Sequence, residues 1–328
     1  MSSTKRSLTS YATLLGQEKA KKIISRMYHS GRLSHAYLFR GPDGVGKQLC
    51  AKLFAAHLNC ENPAPEGGCG ACPSCRKYLS GNHPDITVVR PENGTIKINR
   101  IRELCRSLAY PPYESAIRVV ILEDIHTMRP EAANSLLKTL EEPPENNVLI
   151  LTAELSREIL PTIISRCQIV PFYGLSIEQT TEVLCDHFSG IDTGEADMLA
   201  RLSDGSPGKA LLLKEKDLVD TWHTVRRIVE TDPEEPAGSI GELLQTAEEI
   251  ASLKEDLPAL LGLMRIWVCD VMVTAGEVRL QQREKQMARL AALDRAEQHL
   301  ARNCNRTLVC EVLLFNLQSP IPRVSLYV

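Results

Sequence analysis

The chain has 328 residues, 43% of them apolar and 24% charged, with a formal net charge of −3, a length that suits two or three domains of roughly 100–200 residues each. The near-neutral balance argues against a protein that coats nucleic acid by bulk charge, since such domains are strongly basic. No run reaches the roughly 18 apolar residues of a membrane span, and Met-Ser-Ser-Thr-Lys-Arg-Ser lacks the apolar core of a signal peptide, so the cytosol is the expected compartment.

Ala20, Ile23, Ile24 and Met27 fall on one face of a helix, and Gly31 is placed to stop it. Residues 36–39 are a short apolar run that leads into a glycine-rich loop, with a helix expected from Lys47. Residues 86–89 read as a second strand. Asn93-Gly94 marks a turn, and Asn99 is placed to cap a helix whose apolar face is Ile101, Leu104, Cys105 and Leu108. Residues 118–122 form a third strand that ends in Glu123-Asp124. Pro130 suits the first turn of a helix with the stripe Ala133, Leu136, Leu137 and Leu140, and Pro143-Pro144 ends it. Residues 147–152 and 167–172 supply a fourth and a fifth strand. Strands that are nearly continuous apolar runs, alternating with helices, predict a five-stranded parallel α/β sheet covered on both faces.

After about Gly174 the pattern turns helical. A short module ends near Leu213, a joint is expected over residues 231–238, and residues 240–318 read as helix throughout. Leu280, Met287, Leu290, Leu293 and Leu300 suit a bundle helix.

Residues 41–48 read Gly-Pro-Asp-Gly-Val-Gly-Lys-Gln. Gly41, Gly44 and Gly46 let backbone N–H groups and the next helix N-terminus cradle phosphate, with Lys47 as the point charge. A strand before and a helix after favour this over an ordinary turn. The pattern G-x-x-x-x-G-K-[ST] ends in a hydroxyl that ligates the Mg²⁺ of a nucleoside triphosphate, and here Gln48 stands in its place. A long neutral amide is a poor ligand for a cation that demands close octahedral oxygens.

Glu123 and Asp124 stand where P-loop ATPases keep a metal-holding carboxylate, and ATPases of the AAA+ class follow it with a water-polarising Glu. The order is reversed here. Asp124 falls about one methylene, ~1.5 Å, short of that Glu, and a misplacement of ~1 Å can cost ~10²-fold in rate. This favours a degenerate metal site over a merely solvated strand end. Thr152, at the end of the fourth strand, completes the nucleotide-side set.

Eleven cysteines are present, and four of them, Cys60, Cys69, Cys72 and Cys75, are spaced C-x₈-C-x₂-C-x₂-C. Thiolates at that spacing can converge on one tetrahedral Zn²⁺, and four protein ligands leave no open position, so the expected role is structural. His83 is read as a surface or loop histidine rather than a competing ligand. Ser165-Arg166-Cys167 lies between a helix and the fifth strand. Residue pattern leaves Arg166 with two readings: a solvated surface side chain, or a cation that reaches a neighbour's nucleotide.

Taken together, these pieces resemble the bacterial clamp-loader AAA+ family of DNA polymerase III. The matching residues are Gly16-Gln17, the run from His35 to Phe39, the four-cysteine insertion, the stretch Asn134-Ser135-Leu136-Leu137-Lys138-Thr139-Leu140-Glu141-Glu142-Pro143-Pro144, and Ser165-Arg166-Cys167. The likeness is strong over about residues 10–215 and rests only on length and character beyond. It implies a RecA-like AAA+ domain over 1–174 with a zinc module at 60–75, a helical lid over 175–214, and a helical collar over 215–328. It implies a heteropentameric ring with gamma/tau and delta subunits that opens the sliding clamp and loads it on primed primer-template DNA. By that resemblance Arg166 is an arginine finger acting in trans, the cofactors are structural Zn²⁺ and uncertain ATP/Mg²⁺, and any polymerase activity belongs to the holoenzyme.

The family's gamma/tau motor subunits share the cysteines and the Ser-Arg-Cys, but carry Thr or Ser at position 48, Asp-Glu at 123–124, and an Arg after Gly-Ser-x in the lid. This chain has Gly205-Ser206-Pro207-Gly208 there, with Lys209 one step on. All three departures weaken the same triphosphate–Mg²⁺–water system, so weak or absent hydrolysis is expected. A self-sufficient AAA+ enzyme and a zinc-module nucleic-acid binder are the readings from other classes.

Overall fold

The computed structural model describes residues 8–31, 33–215, 218–231, 240–274 and 280–319. Contacts divide the chain into two compact units, one of Met1–His187 with Gly205–Gly208, the other of Phe188–Asp204 with Lys209–Val328.

The apolar runs of the first unit become strands β1 (Ala36–Gly41), β2 (Ile86–Val89), β3 (Arg118–Leu122), β4 (Asn147–Glu154) and β5 (Gln168–Pro171). All pairs are parallel, in the order β2-β3-β4-β1-β5. The unit's helices are α1 (Glu18–Ser30), α2 (Lys47–Leu58), α3 (Pro73–Leu79), α4 (Ile98–Leu108), α5 (Pro130–Glu141), α6 (Pro161–Ile164) and α7 (Ile177–His187). Because strand side chains alternate, the runs feed two cores at once. Tyr37, Phe39, Val119, Ile121 and Ile150 pack on one face with Ile24 of α1 and Leu53 and Phe54 of α2. Leu38, Val120, Leu122, Leu149 and Leu151 pack on the other with Ile101 and Leu104 of α4 and Leu136 and Leu140 of α5. Burying each of these large side chains contributes about 1.5–3 kcal/mol, so this two-sided core fixes where the strand ends and their loops sit.

Local signals act as the sequence suggests at most helix ends. Gly31 closes α1 in the left-handed conformation, and Pro130 and Pro161 open α5 and α6. Asn99 is an exception. α4 starts at Ile98, with extended Lys97 at its N-cap and no side-chain capping bond, so Asn99 is already helical. Parallel pairing of Ile96 with Met128 fixes the chain just ahead of that start.

The second unit is helical: α8 (Thr193–Leu202), α9 (Pro207–Glu215), α10 (Leu218–Glu230), α11 (Ile240–Ser252), α12 (Leu257–Thr274), α13 (Leu280–Ala301) and α14 (Arg306–Gln318). α9 opens on two residues that belong to the first unit. Trp222 of α10 meets Trp267 of α12 edge-on, with ring centroids 5.4 Å apart. The expected stripe on α13 is corrected in part: Leu293 is buried, but Met287 is 59% exposed, and the inward face is continued by Gln286 and Arg289. Arg289 donates to the carbonyls of Leu317 (2.8 Å) and Val229 (3.3 Å) and lies over the Trp267 ring at 5.1 Å. A buried guanidinium is tolerated there because carbonyls and a π-face replace water. The Leu280 side chain, and the expected joint apart from Thr231, lie outside the described residues. Among the described residues no helix is long and apolar enough to cross a membrane.

Candidate functional site: the P-loop, the cysteine cluster and Arg166

β1 ends at Gly41 and α2 begins at Lys47, so the glycine-rich loop connects a strand to a helix N-terminus as a phosphate loop must. Gly46 is the N-cap, at φ +95, and a Cβ there would lie 2.8 Å from Leu14 Cδ1. Gln17 holds the loop from outside: its amide nitrogen donates to Val45 O (3.2 Å) and Tyr173 O (2.6 Å), and its amide oxygen accepts from Tyr173 N (3.1 Å).

Lys47 is buried, and its ammonium donates to the loop's own carbonyls, Gly41 O at 3.1 Å and Pro42 O at 2.5 Å. Burial lowers its pKa, opposed by the charges of Asp43, Asp124 and Glu154. The cavity beside the loop measures about 230 Å³ and is lined by Asp43, Gly44, Gly46, Lys47, Gln48 and Asp124 with Leu49. That is below the ~300–1,000 Å³ of ordinary small-molecule pockets.

Residues 205–208 lie directly against the loop. Ser206 Oγ donates to Asp43 O at 2.7 Å, and Gly208 N donates to Gly44 O at 2.9 Å. A Cβ at position 208 would stand 2.7 Å from Gly44 Cα, so the backbones meet at a place where no side chain fits without movement.

The paired carboxylates at the end of β3 point to different partners. Glu123 is buried and bridges Lys52 (3.3 Å) and Arg90 (3.1 Å). It does not line the loop cavity. Asp124 does, and accepts from the Gln48 amide at 3.3 Å. Asp124 N donates to Thr152 Oγ1 at 3.0 Å, with Asp124 itself left-handed at φ 52. Burial, then the nearby Asp43 charge, raises the Asp124 pKa. Gln48, Asp124 and Thr152 therefore come together, whereas Glu123 is held by cations the sequence reading did not single out.

Arg166 follows the one-turn helix α6. Its guanidinium pairs with Glu141 Oε1 at 2.6 Å and donates to Thr162 O at 2.9 Å and Ser165 Oγ at 3.2 Å. Arg166 is 33% exposed and Glu141 48%. Glu141 was visible within the Leu-Glu-Glu-Pro-Pro stretch, but spacing alone does not join residues 25 positions apart.

The four cysteine sulfurs lie within 4.8 Å of one another. α3 begins at this cluster, with Cys72 as its N-cap and Pro73 at its first position. Backbone N–H groups point at the sulfurs: Cys69 N to Cys60 Sγ (3.2 Å), Cys72 N to Cys69 Sγ (3.3 Å) and Cys75 N to Cys72 Sγ (3.4 Å). The N–H groups of Ala71 and Cys72 bring the Cys69 thiol down to about 6, while burial pushes Cys60 and Cys75 up. A soft divalent cation among these sulfurs would favour the thiolate form at all four positions. The donor set and its compactness fit a metal. The insertion is laced to the chain's start, with Thr9 Oγ1 donating to Gly68 O at 2.9 Å and Tyr11 N to Glu66 O at 2.8 Å. His83 is not a surface side chain: it is buried, 3.0 Å from Ser74 Oγ, and accepts from Asp85 N at 3.2 Å.

A five-stranded parallel sheet in this order, a P-loop after β1 beside the central strand β4, and a compact four-cysteine insertion define an AAA+-class P-loop protein. The family model described as DNA polymerase III, delta subunit, matches residues 16–176. The chain is 39% identical over 181 residues to DNA polymerase III subunit delta' of Pseudomonas aeruginosa, covering 53% of this chain and 54% of that protein. It is 39% identical over 159 residues to the delta' subunit of Bacillus subtilis, covering 48% of each. It is 32% identical over 210 residues to subunit tau of Escherichia coli, covering 63% of this chain and 32% of tau. Over residues 16–176 the chain is similar to clamp-loader subunits of DNA polymerase III. It spans about half the length of the delta' relatives it matches.

Proposed function

We propose that this chain is a clamp-loader subunit of the delta-prime kind. It joins gamma/tau and delta subunits in a heteropentameric ring, helps place the sliding clamp on primed DNA during replication, and lends Arg166 to the triphosphate of a neighbouring motor subunit. Its own loop hydrolyses ATP weakly or not at all. Residues 175–214 serve as the lid, the later helices as the collar, and the cysteine cluster holds structural zinc.

The observation that carries this reading is the state of the chain's own nucleotide machinery. Gln48 occupies the hydroxyl position and bonds Asp124, Lys47 is spent on Gly41 and Pro42, and Gly208 seats its backbone on Gly44. A motor needs the hydroxyl, a free Lys and a lid guanidinium together around Mg²⁺-triphosphate. This is what sets the proposal apart from a gamma/tau-type motor, despite the likeness to tau. Arg166 supports the second half: it stands at an accessible edge, and a guanidinium supplied in trans is worth ~10³–10⁵ in phosphoryl-transfer rate.

The test is reconstitution with gamma/tau and delta, followed by clamp loading on primed DNA. Arg166→Ala is expected to assemble normally and load poorly. Unchanged loading overturns the trans role, and ATP turnover by the isolated chain at ~1 s⁻¹ or faster, lost in Lys47→Ala, overturns the idle pocket.

A further inference from the structure

Arg166 is a long side chain at the surface, attached to a helix of a single turn. Its backbone is fixed by Arg166 N donating to Ile163 O at 3.1 Å. Nothing in that fixes the guanidinium, since an arginine carries several free torsions and loses them only when something holds its fork. Two of its contacts are to its own short segment, Thr162 O and Ser165 Oγ. The third comes from elsewhere, from Glu141 at the last turn of α5.

An exposed ion pair of this kind contributes little to folding stability. Glu141 is itself half exposed, and Pro143-Pro144 end the chain's helical course just beyond it. Its Oε1 accepts from Nη2, while Thr162 O and Ser165 Oγ take Nη1, so both terminal nitrogens are held while a third of the Arg166 side chain stays exposed. A carboxylate is also a ligand that a phosphate can replace without a new geometry, because both accept the same planar fork.

We propose that Glu141 is the positioning residue for Arg166: it aims the guanidinium before a neighbouring triphosphate arrives and yields it to the γ-phosphate. The proposal rests on the trans role of Arg166, and the experiment separates the two. Phosphate release is followed in a single turnover by the complex reconstituted with gamma/tau and delta, at saturating and limiting ATP. Arg166→Ala identifies the kinetic phase that depends on this chain. Glu141→Ala is expected to slow that phase about three- to tenfold at saturating ATP, as fits the loss of one side chain's pre-ordering. The ATP concentration at half-maximal rate stays unchanged. Glu141→Gln, isosteric and still able to accept from Nη2, is expected within about twofold of the parent. The double variant Arg166→Ala/Glu141→Ala is expected to match Arg166→Ala alone.

If Arg166→Ala removes no phase, the trans reading itself fails. If it removes one but Glu141→Ala leaves that phase at the parental rate, only the positioning role of Glu141 is overturned. A Gln variant as slow as the Ala variant, or a further slowing by Glu141→Ala in the Arg166→Ala background, overturns it equally.

Discussion

The side-chain amide of Gln48 donates to the carboxylate of Asp124 across 3.3 Å. In an active AAA+ ATPase the first position carries the hydroxyl that ligates Mg²⁺ and the second the Glu that polarises the attacking water. Here they bond each other. Repairing one partner does not repair the site, because Glu123 stays bound to Lys52 and Arg90 and position 208 has no side chain. Gln48→Thr in the isolated chain is therefore expected to leave steady-state ATP turnover at least ~100-fold below an ordinary 1 s⁻¹. Turnover restored by that single change would mean that Gln48 alone silences the loop.

The cysteine cluster should carry one zinc per chain. Elemental analysis of the purified protein checks this directly. Cys72→Ser removes a buried ligand that is also the N-cap of α3, so zinc content should fall and the melting temperature should drop by about 5 °C or more. A metal-free parent, or a Cys72→Ser variant as stable as the parent, would contradict a structural metal.

His57 gives the fold a dependence on acid. It is buried, stacks on Tyr28 with centroids 4.0 Å apart, and lies 3.2 Å from Tyr11 Oη through Nδ1. Burial, reinforced by the charge of His29, brings it down from the ordinary 6.5 to about 4. Its contribution is complete above pH 6.5. As pH falls from there toward 4 the unfolded chain binds a proton that the folded chain refuses, and stability drops by at most about 1.4 kcal/mol per pH unit. Urea unfolding at pH 7.0 and 5.0 should show this loss in the parent and less of it in His57→Phe. Equal losses in both proteins would remove His57 as the cause.

In the second unit, Arg289 joins α10, α12 and α14 through two carbonyls and one indole. Arg289→Ala leaves those carbonyls without their donor and opens a cavity beside Trp267, which should cost about 2–4 kcal/mol. Chemical denaturation measures the loss, and the Trp267 emission should shift to the red. A cost below about 0.5 kcal/mol would show that water replaces the guanidinium freely.

The sheet was legible because its strands are unbroken apolar runs between glycine and proline signals; β2 and β3 fall on the expected residues, while β4 runs two residues further and β5 is trimmed at both ends. The cysteine cluster was legible because ligand spacing is local. The pairings that set the site were not. Glu123 with Lys52 and Arg90, Gly208 with Gly44, and Glu141 with Arg166 join distant segments, and a charge or a glycine has no periodicity that names its partner. On α13 the apolar period misled for a related reason: Arg289 is buried because it finds acceptors on two other helices, so the inward face is partly polar and Met287 is left outside.

The catalysis that needs this chain is proposed to happen on a neighbour. Its most direct measurement is single-turnover phosphate release from ATP by the complex reconstituted with Arg166→Ala. One kinetic phase is expected to slow by ~10³-fold or more while nucleotide binding to the motor subunits is kept. Release identical to that of the parent complex in every phase would contradict it.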